Sequence, residues 1–289
     1  MTLFDSLVDN ALRVQPQFGS LRIVVEKELL HHDILRAMSE AGLLQQLTFI
    51  GGTCLRACYG SQRLSEDLDF SGGVDFTKEQ LAGMAGHLCE TLQDKYGLHV
   101  EVSEPTREFG NVDTWKLKIQ TRPSRPDLPA QKINIDVCAV PSYDQQPRML
   151  LNPYGVDMGT MGLIINAESR EEIFCDKLLA FALRPNRLKY RDLWDIVWLH
   201  QAGVKPALDL LAKKHSDHQC LPDSFISSFA ERVALLENDP HVAAEFHKEM
   251  QRFLALNQLK TAEQPGFWKF LSLLFRDLKQ QVDACLHSQ

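Results

Sequence analysis

Apolar and polar positions along this chain follow two periods, and the change from one to the other divides it. Leu21, Val24, Val25, Leu29, Ile34, Leu35 and Met38 recur near helical spacing and predict a long amphipathic helix over residues 21–45. Leu47 to Ile50 suit a short buried strand ended by Gly51-Gly52. A short helix starting near Thr53 and closed by Gly60 should follow. The polar stretch SQRLSEDLDFSGG then feeds a strand around Leu68 to Phe70. Residues 77–96 read as a helix with Thr77 as N-cap. Strand-like runs follow at 98–102, 114–120 and 132–140, the last two alternating apolar and polar residues as half-buried strands do. Residues 121–129, with three prolines, read as a hairpin-like connection or mobile loop. After about residue 165 the period becomes helical throughout, in segments 171–183, 190–202, 206–215, 225–237, 241–256 and 267–286. The outline is a mixed α/β part over residues 1–165 and an all-helical part over 166–289, without an internal repeat.

Composition narrows the class. Hydrophobic residues make up 44% and charged residues 24% of the 289 positions, the balance of a folded globular chain rather than a disordered or fibrous one. No stretch approaches the roughly 18 apolar residues of a membrane span. The N-terminus lacks the basic and apolar regions of a signal peptide, so a cytoplasmic protein without a membrane partner is expected. The seven cysteines are an odd number and widely spread, which predicts reduced, buried thiols. The formal charge of −7 disfavours broad polyanion binding, so any nucleic-acid contact must come from a local basic patch.

The sharpest candidate chemistry is Gly51-Gly52-Thr53 followed, fourteen residues after Thr53, by Asp67-Leu68-Asp69. On a strand, Asp67 and Asp69 share one face while Leu68 and Phe70 point into the core. Adjacent carboxylates repel unless something neutralises them, and a divalent cation does so. Mg²⁺ characteristically takes one or two carboxylates and completes its shell with water and substrate phosphates. The glycine turn lets the backbone approach a phosphate, and the following helix N-terminus adds N–H groups. In Lys132-Ile133-Asn134-Ile135-Asp136-Val137 the even positions form a polar face, so Asp136 is either a solvent-facing residue or a third acid beside Asp67 and Asp69. Three carboxylates can hold two metals about 3.5–4 Å apart for phosphoryl or nucleotidyl transfer. His31 and His32 read as surface residues of an amphipathic helix, and His215 and His218 flank a helix end without nearby ligands.

In the helical part, Lys177 shares a face with Ile173 and Phe181 and either snorkels to water or reaches inward to a triphosphate. Arg184, Arg187, Lys189 and Arg191 lie within eight residues without an intervening acid, a basic run suited to a phosphate-rich substrate. Asp192 and Asp195 sit one turn apart on a helix apolar around its circumference, so they need partners, most simply Arg187, Arg191 or Lys177. Their role is either structural pairing or orientation of the site cation.

The segment FIGGTCLRACYG…RLSEDLDF resembles the first motif of the AbiEii/AbiGii nucleotidyltransferase toxin family, a branch of the DNA polymerase β-like superfamily, through Gly51, Gly52, Thr53, Arg63, Ser65, Asp67, Asp69 and Phe70. EEIFCDKLLAFALRPNRLKYRDLWDI resembles its second signature through Asp176, Lys177, Arg184, Arg191, Asp192 and Asp195. The resemblance implies an α+β fold: a polymerase-β-like mixed sheet with flanking helices over 1–165, then a helical domain over 166–289. It implies transfer of a nucleoside monophosphate from an NTP with one Mg²⁺ ion or two, in a toxin of a toxin–antitoxin or phage-defence system. RNA, tRNA above all, is the expected acceptor and a cognate antitoxin the expected partner. A small-molecule or protein acceptor, or a nucleotide-binding module without turnover, are the alternatives. By the same resemblance Asp67 and Asp69 hold metal, with Asp136 as the third acid. Gly51, Gly52, Thr53, Arg63 and Ser65 surround the nucleotide, Lys177 neutralises the triphosphate and Asp195 completes the second constellation.

Overall fold

The computed structural model describes residues 2–106, 110–123, 128–185 and 187–287. The chain forms two compact units, Met1–Glu168 and Ser169–Gln289. The first begins with α1 (Leu3–Val14), where Thr2 and Asp5 form a capping box. A 3₁₀ turn leads into α2 (Arg22–Glu40). The helix expected over 21–45 stops at Glu40 because Gly42 takes a left-handed conformation, φ 73°. A second 3₁₀ turn then delivers β1 (Thr48–Ile50) and α3 (Gly51–Tyr59), which Gly60 closes. β2 (Leu68–Ser71) starts one residue after Asp67. The helix expected over 77–96 is split. Thr77 precedes a 3₁₀ turn without capping it, and Gly83 at φ 83° resets the chain before α4 (Met84–Tyr96).

Strands β3 (His99–Ser103), β4 (Val112–Gln120) and β5 (Gln131–Cys138) match the alternating runs. Residues 124–127 of the proline-rich connection lie outside the described residues. Two further strands carried no clear pattern: β6 (Gln145–Met149) and β7 (Ile164–Glu168). Together the seven make one mixed sheet, ordered β3-β4-β5-β2-β1-β7-β6. β1 runs antiparallel to β2 and parallel to β7, whereas β2 runs parallel to β5. The inward residues Phe49 and Phe70 face each other across β1 and β2 with ring centroids 5.1 Å apart. Burying each contributes about 1.5–3 kcal/mol, which fixes the register at which the acids emerge beside the glycine turn.

Helix α2 packs against α1 and α4 and also meets β5. His31 and His32, read from the sequence as surface, are therefore 3% and 5% exposed. The correction has a physical reason: a helix covered on several sides buries its polar positions too, and each needs a partner. His32 Nδ1 meets Thr160 Oγ1 at 2.9 Å. Burial, reinforced by His31, Arg56 and Lys95, lowers the His32 pKa to about 4. Because the folded value lies below the unfolded one near 6.5, neutral His32 contributes its full stability above pH 6.5. That contribution is lost as pH falls toward 4, in total about 3 kcal/mol. Urea midpoints measured across this window should fall with pH, and His32→Gln should flatten the slope. A wild-type midpoint that does not move over this range would contradict the assignment.

The second unit holds α5 (Arg170–Leu183), α6 (Tyr190–Gln201), α7 (Leu211–Asp217), α8 (Pro222–Asn238), α9 (Pro240–Met250), α10 (Leu256–Ala262) and α11 (Pro265–His287). The single helix expected over 241–256 divides because Phe253, Leu254 and Ala255 are all buried. Three consecutive residues cannot share one helix face, so the chain turns there. α5 packs on α6 and α8, and α8 on α11. Phe181 stands between Phe229 and Phe275, at centroid distances of 5.1 and 4.6 Å. His215, read as lying without ligands nearby, is buried against the Phe225 ring. All seven cysteines are free thiols, but only Cys54, Cys58 and Cys175 are buried and the other four are half-buried. Among the described residues no helix is long and apolar enough to cross a membrane.

Candidate active site

In the first unit the site forms where β1 ends and β2 begins. Ile50 pairs with Asp69, and Asp69 pairs in turn with Asp136 of β5. Leu68, Phe70, Ile135 and Val137 fill the opposite face, so Asp69 and Asp136 emerge as cross-strand neighbours, both half-buried. Like charges directly opposite are destabilising. A cation bound beside such a pair would offset that cost.

Gly51 explains why a side chain is missing at this turn. It adopts φ 75°, and a Cβ placed there would come within 3.0 Å of Asp69 Oδ2. Any larger residue would be strained and would push the carboxylate aside.

The other acids are held individually. Asp67 Oδ1 accepts the Asn134 backbone N–H at 3.1 Å, continuing the β2–β5 ladder with a side chain. Asp136 Oδ1 accepts the Thr114 hydroxyl at 2.6 Å, from the residue opposite it on β4. Among the described residues, Asp67, Asp69 and Asp136 do not bring one oxygen each within 4.8 Å of the others. The carboxylates of Asp67 and Asp69 are hard oxygen donors of the kind a divalent cation takes, and Mg²⁺ characteristically needs no more than two protein carboxylates.

Ser65 and Thr53 are buried beneath the acids. Thr53 Oγ1 lies 2.6 Å from Ser65 Oγ and also bonds the Asp67 carbonyl. A carbonyl only accepts, so the Thr53 proton goes to Asp67 and Ser65 donates to Thr53. The Ser65 N–H donates to Glu28 Oε1 at 2.8 Å. Both Ser65 donors are thus engaged within the chain, and a phosphate contact would require its hydroxyl to turn. Arg63 is buried, and its Nη1 donates to the Leu64 carbonyl at 2.8 Å.

Glu28 lies at the centre of a buried network that sequence reading overlooked. Besides Ser65 it accepts Arg56 Nε at 3.1 Å and the Tyr154 hydroxyl. Burial works against the Arg56 charge, yet Glu28 and Tyr154 hold its pKa above the ordinary value. Burial and the Glu28 charge push the Tyr154 phenol well up. One signal was present: Glu28 falls on the same helical stripe as Val24, His32 and Leu35, where a charged residue needs a buried partner.

The second unit holds the other predicted residues. Lys177, 8% exposed, does not snorkel; its Nζ bonds Asp192 at 2.6 Å and lies 2.9 Å from Asp195, which is 0% exposed. Arg184 adds a second cation to Asp192 at 3.4 Å. Burial alone would raise the Asp192 pKa, but Lys177, Lys189 and Arg184 outweigh it and hold the carboxyl below its ordinary value. Of the partners expected for these acids, Lys177 is present. Arg191 lies 3.5 Å from Glu249 and over the Phe253 ring. Asp176 pairs with buried Lys214 at 2.6 Å, and Lys214 also holds Glu172 at 2.7 Å. Within the basic run Arg187 is exposed.

Comparisons with known proteins agree with this architecture. No curated protein sequence matches the chain. Among solved structures, the nucleotidyltransferase toxin MenT4 of Mycobacterium tuberculosis H37Rv is similar, with TM-score 0.52, 15% identity, and 100% of this chain and 99% of that one covered. A nucleotidyltransferase candidate from Helicobacter pylori is also similar, with TM-score 0.51, 17% identity, and 90% of this chain and 96% of that one covered. At these identities the likeness is one of fold. The family model for the nucleotidyl transferase AbiEii toxin of type IV toxin–antitoxin systems matches residues 33–275, spanning both constellations, and the chain belongs to that family.

Proposed function

We propose that this nucleotidyltransferase moves a nucleoside monophosphate from an NTP to RNA, with tRNA as the favoured acceptor, in an Mg²⁺-dependent reaction in the cytoplasm. The observation that carries the chemistry is the Asp69 carboxylate, set against the Gly51 turn and opposite Asp136. Bound Mg²⁺ would neutralise phosphate oxygens and the acid pair, with Asp67 and Asp69 as its protein ligands and Asp136 beside them. An acceptor hydroxyl oxygen forms the new bond to the α-phosphorus as its proton passes to solvent, the bond to the bridging oxygen breaks, and pyrophosphate leaves with that electron pair. Gly51 and Gly52 leave the main chain open to the phosphates. Residues 1–165 are the transfer core in this reading, and the helices of 166–289 contribute to acceptor and antitoxin choice.

Lys177 is the family-derived residue for the triphosphate. Its ammonium is already oriented by Asp192 and Asp195. The RNA assignment draws on the basic run, with exposed Arg187 as its outermost residue. The −7 charge and the acid partners of Arg184 and Arg191 favour a small-molecule or protein acceptor as the second reading.

Incubation with each of the four α-³²P NTPs, Mg²⁺ and total tRNA separates these readings. Label should appear on tRNA with one preferred nucleotide, and it should fall steeply with added salt as phosphate contacts are screened. Label on protein or a small molecule instead would transfer the assignment to the second reading.

A further inference from the structure

The segment Leu64-Ser65-Glu66-Asp67 has no regular secondary structure, yet its main chain is tied at each residue. Arg63 holds the Leu64 carbonyl, Glu28 the Ser65 N–H, His31 the Glu66 carbonyl at 3.0 Å, and Thr53 the Asp67 carbonyl. Lys27 adds a bond to the Glu66 side chain at 2.9 Å. Three of these residues, Lys27, Glu28 and His31, form one ridge of α2, so that one helix face holds Ser65 and Glu66, while Arg63 and Thr53 hold the residues on either side. A carbonyl only accepts, so His31 Nε2 must carry the proton it shares with Glu66. Buried Thr53 and His31 therefore grip the carbonyls immediately after and before the Asp67 Cα.

We propose that His31 and Thr53 are positioning residues for Asp67, holding its main chain so that the carboxylate keeps its orientation toward the metal and the Asp69 side chain. This rests on the metal reading of Asp67 and Asp69 above. An irregular segment between a helix and a strand would otherwise be free to rotate. Groups that orient a metal ligand from behind typically govern affinity by about 10–100-fold.

The test is direct titration of the full chain with Mn²⁺, read by electron paramagnetic resonance of the unbound ion and needing no substrate. His31→Leu removes the donor, and its surroundings include Leu35, Leu150 and Leu151 of the adjoining cavity, which accept an apolar side chain. His31→Gln restores an N–H donor. Thr53→Val removes a different donor with almost no change of shape, and Thr53→Ser keeps the hydroxyl. Tyr96→Phe serves as control, because it removes a bond to buried Asp33 of the same helix without touching the segment.

His31→Leu and Thr53→Val should each weaken Mn²⁺ binding by about tenfold or more. His31→Gln, Thr53→Ser and Tyr96→Phe should bind nearly as the wild type does. Wild-type affinity in both His31→Leu and Thr53→Val would overturn the positioning role, as would an equal loss in Tyr96→Phe. A wild type that binds no Mn²⁺, or an Asp69→Asn variant that binds it undiminished, would overturn the metal reading and this proposal with it.

Discussion

Asp69→Asn is expected to reduce nucleotidyl transfer by about 10²–10³-fold or more, the scale on which a preorganised electrostatic group acts in a reaction. The fold should survive, because no apolar surface is uncovered. Indeed Asp69 stands opposite Asp136, and removing one of two facing carboxylates relieves their repulsion. Stability should therefore stay level or rise. Asp67→Asn should behave similarly, since an amide oxygen can still accept the Asn134 N–H that Asp67 Oδ1 accepts now. Transfer of label and urea unfolding, measured on the same preparations, check both halves. Loss of activity accompanied by unfolding in both variants would make the pair structural.

Lys177→Met should destabilise the helical unit by about 3–5 kcal/mol, the cost of leaving buried charge without its partner. Both Asp192 and Asp195 are buried and both lie within 3 Å of the Lys177 ammonium, so methionine removes the cation that the two carboxylates share. This confounds any simple reading of a Lys177 substitution, since inactivity could reflect the lost fold rather than the lost cation. The triple variant Lys177→Met, Asp192→Asn, Asp195→Asn separates the two, because it removes all three charges together. Its unfolding midpoint should recover most of the loss. A triple variant that is stable but still needs far more NTP would place the Lys177–Asp192–Asp195 cluster at the triphosphate, whereas one with ordinary NTP dependence would leave the cluster structural. A single variant that loses less than about 1 kcal/mol would contradict the buried-pair argument.

Much of the site was legible along the chain. The glycine turn at Gly51, Asp67 and Asp69 two apart, and the alternation around Asp136 are local patterns with local causes. The strands carrying Thr114 and Asp136 alternate cleanly because one face meets the core. β6, by contrast, was missed: Gln145-Gln146-Pro147-Arg148-Met149 lies at the sheet edge, has no buried face, and tolerates a proline there. The helix breaks at Gly42 and Gly83 were missed because apolar spacing continues across them, while the reversal depends on what the following residues must pack against.

Local periodicity was enough to determine the mixed α/β and helical parts, the glycine turn and the polar strand faces carrying Asp69 and Asp136, whereas the pairing of β2 with β5 came from the tertiary structure. These follow from how helices and strands distribute side chains between core and solvent. Only the tertiary structure decided that His31 and His32 are buried, that Glu28 joins Arg56, Ser65 and Tyr154, that both Ser65 donors are engaged, and that Lys177 sits between Asp192 and Asp195. A buried polar group is defined by its partner, and Glu28 and Tyr154 stand 126 residues apart in the chain. Spacing reveals that such a group needs a partner, whereas the folded packing alone determines which one it meets.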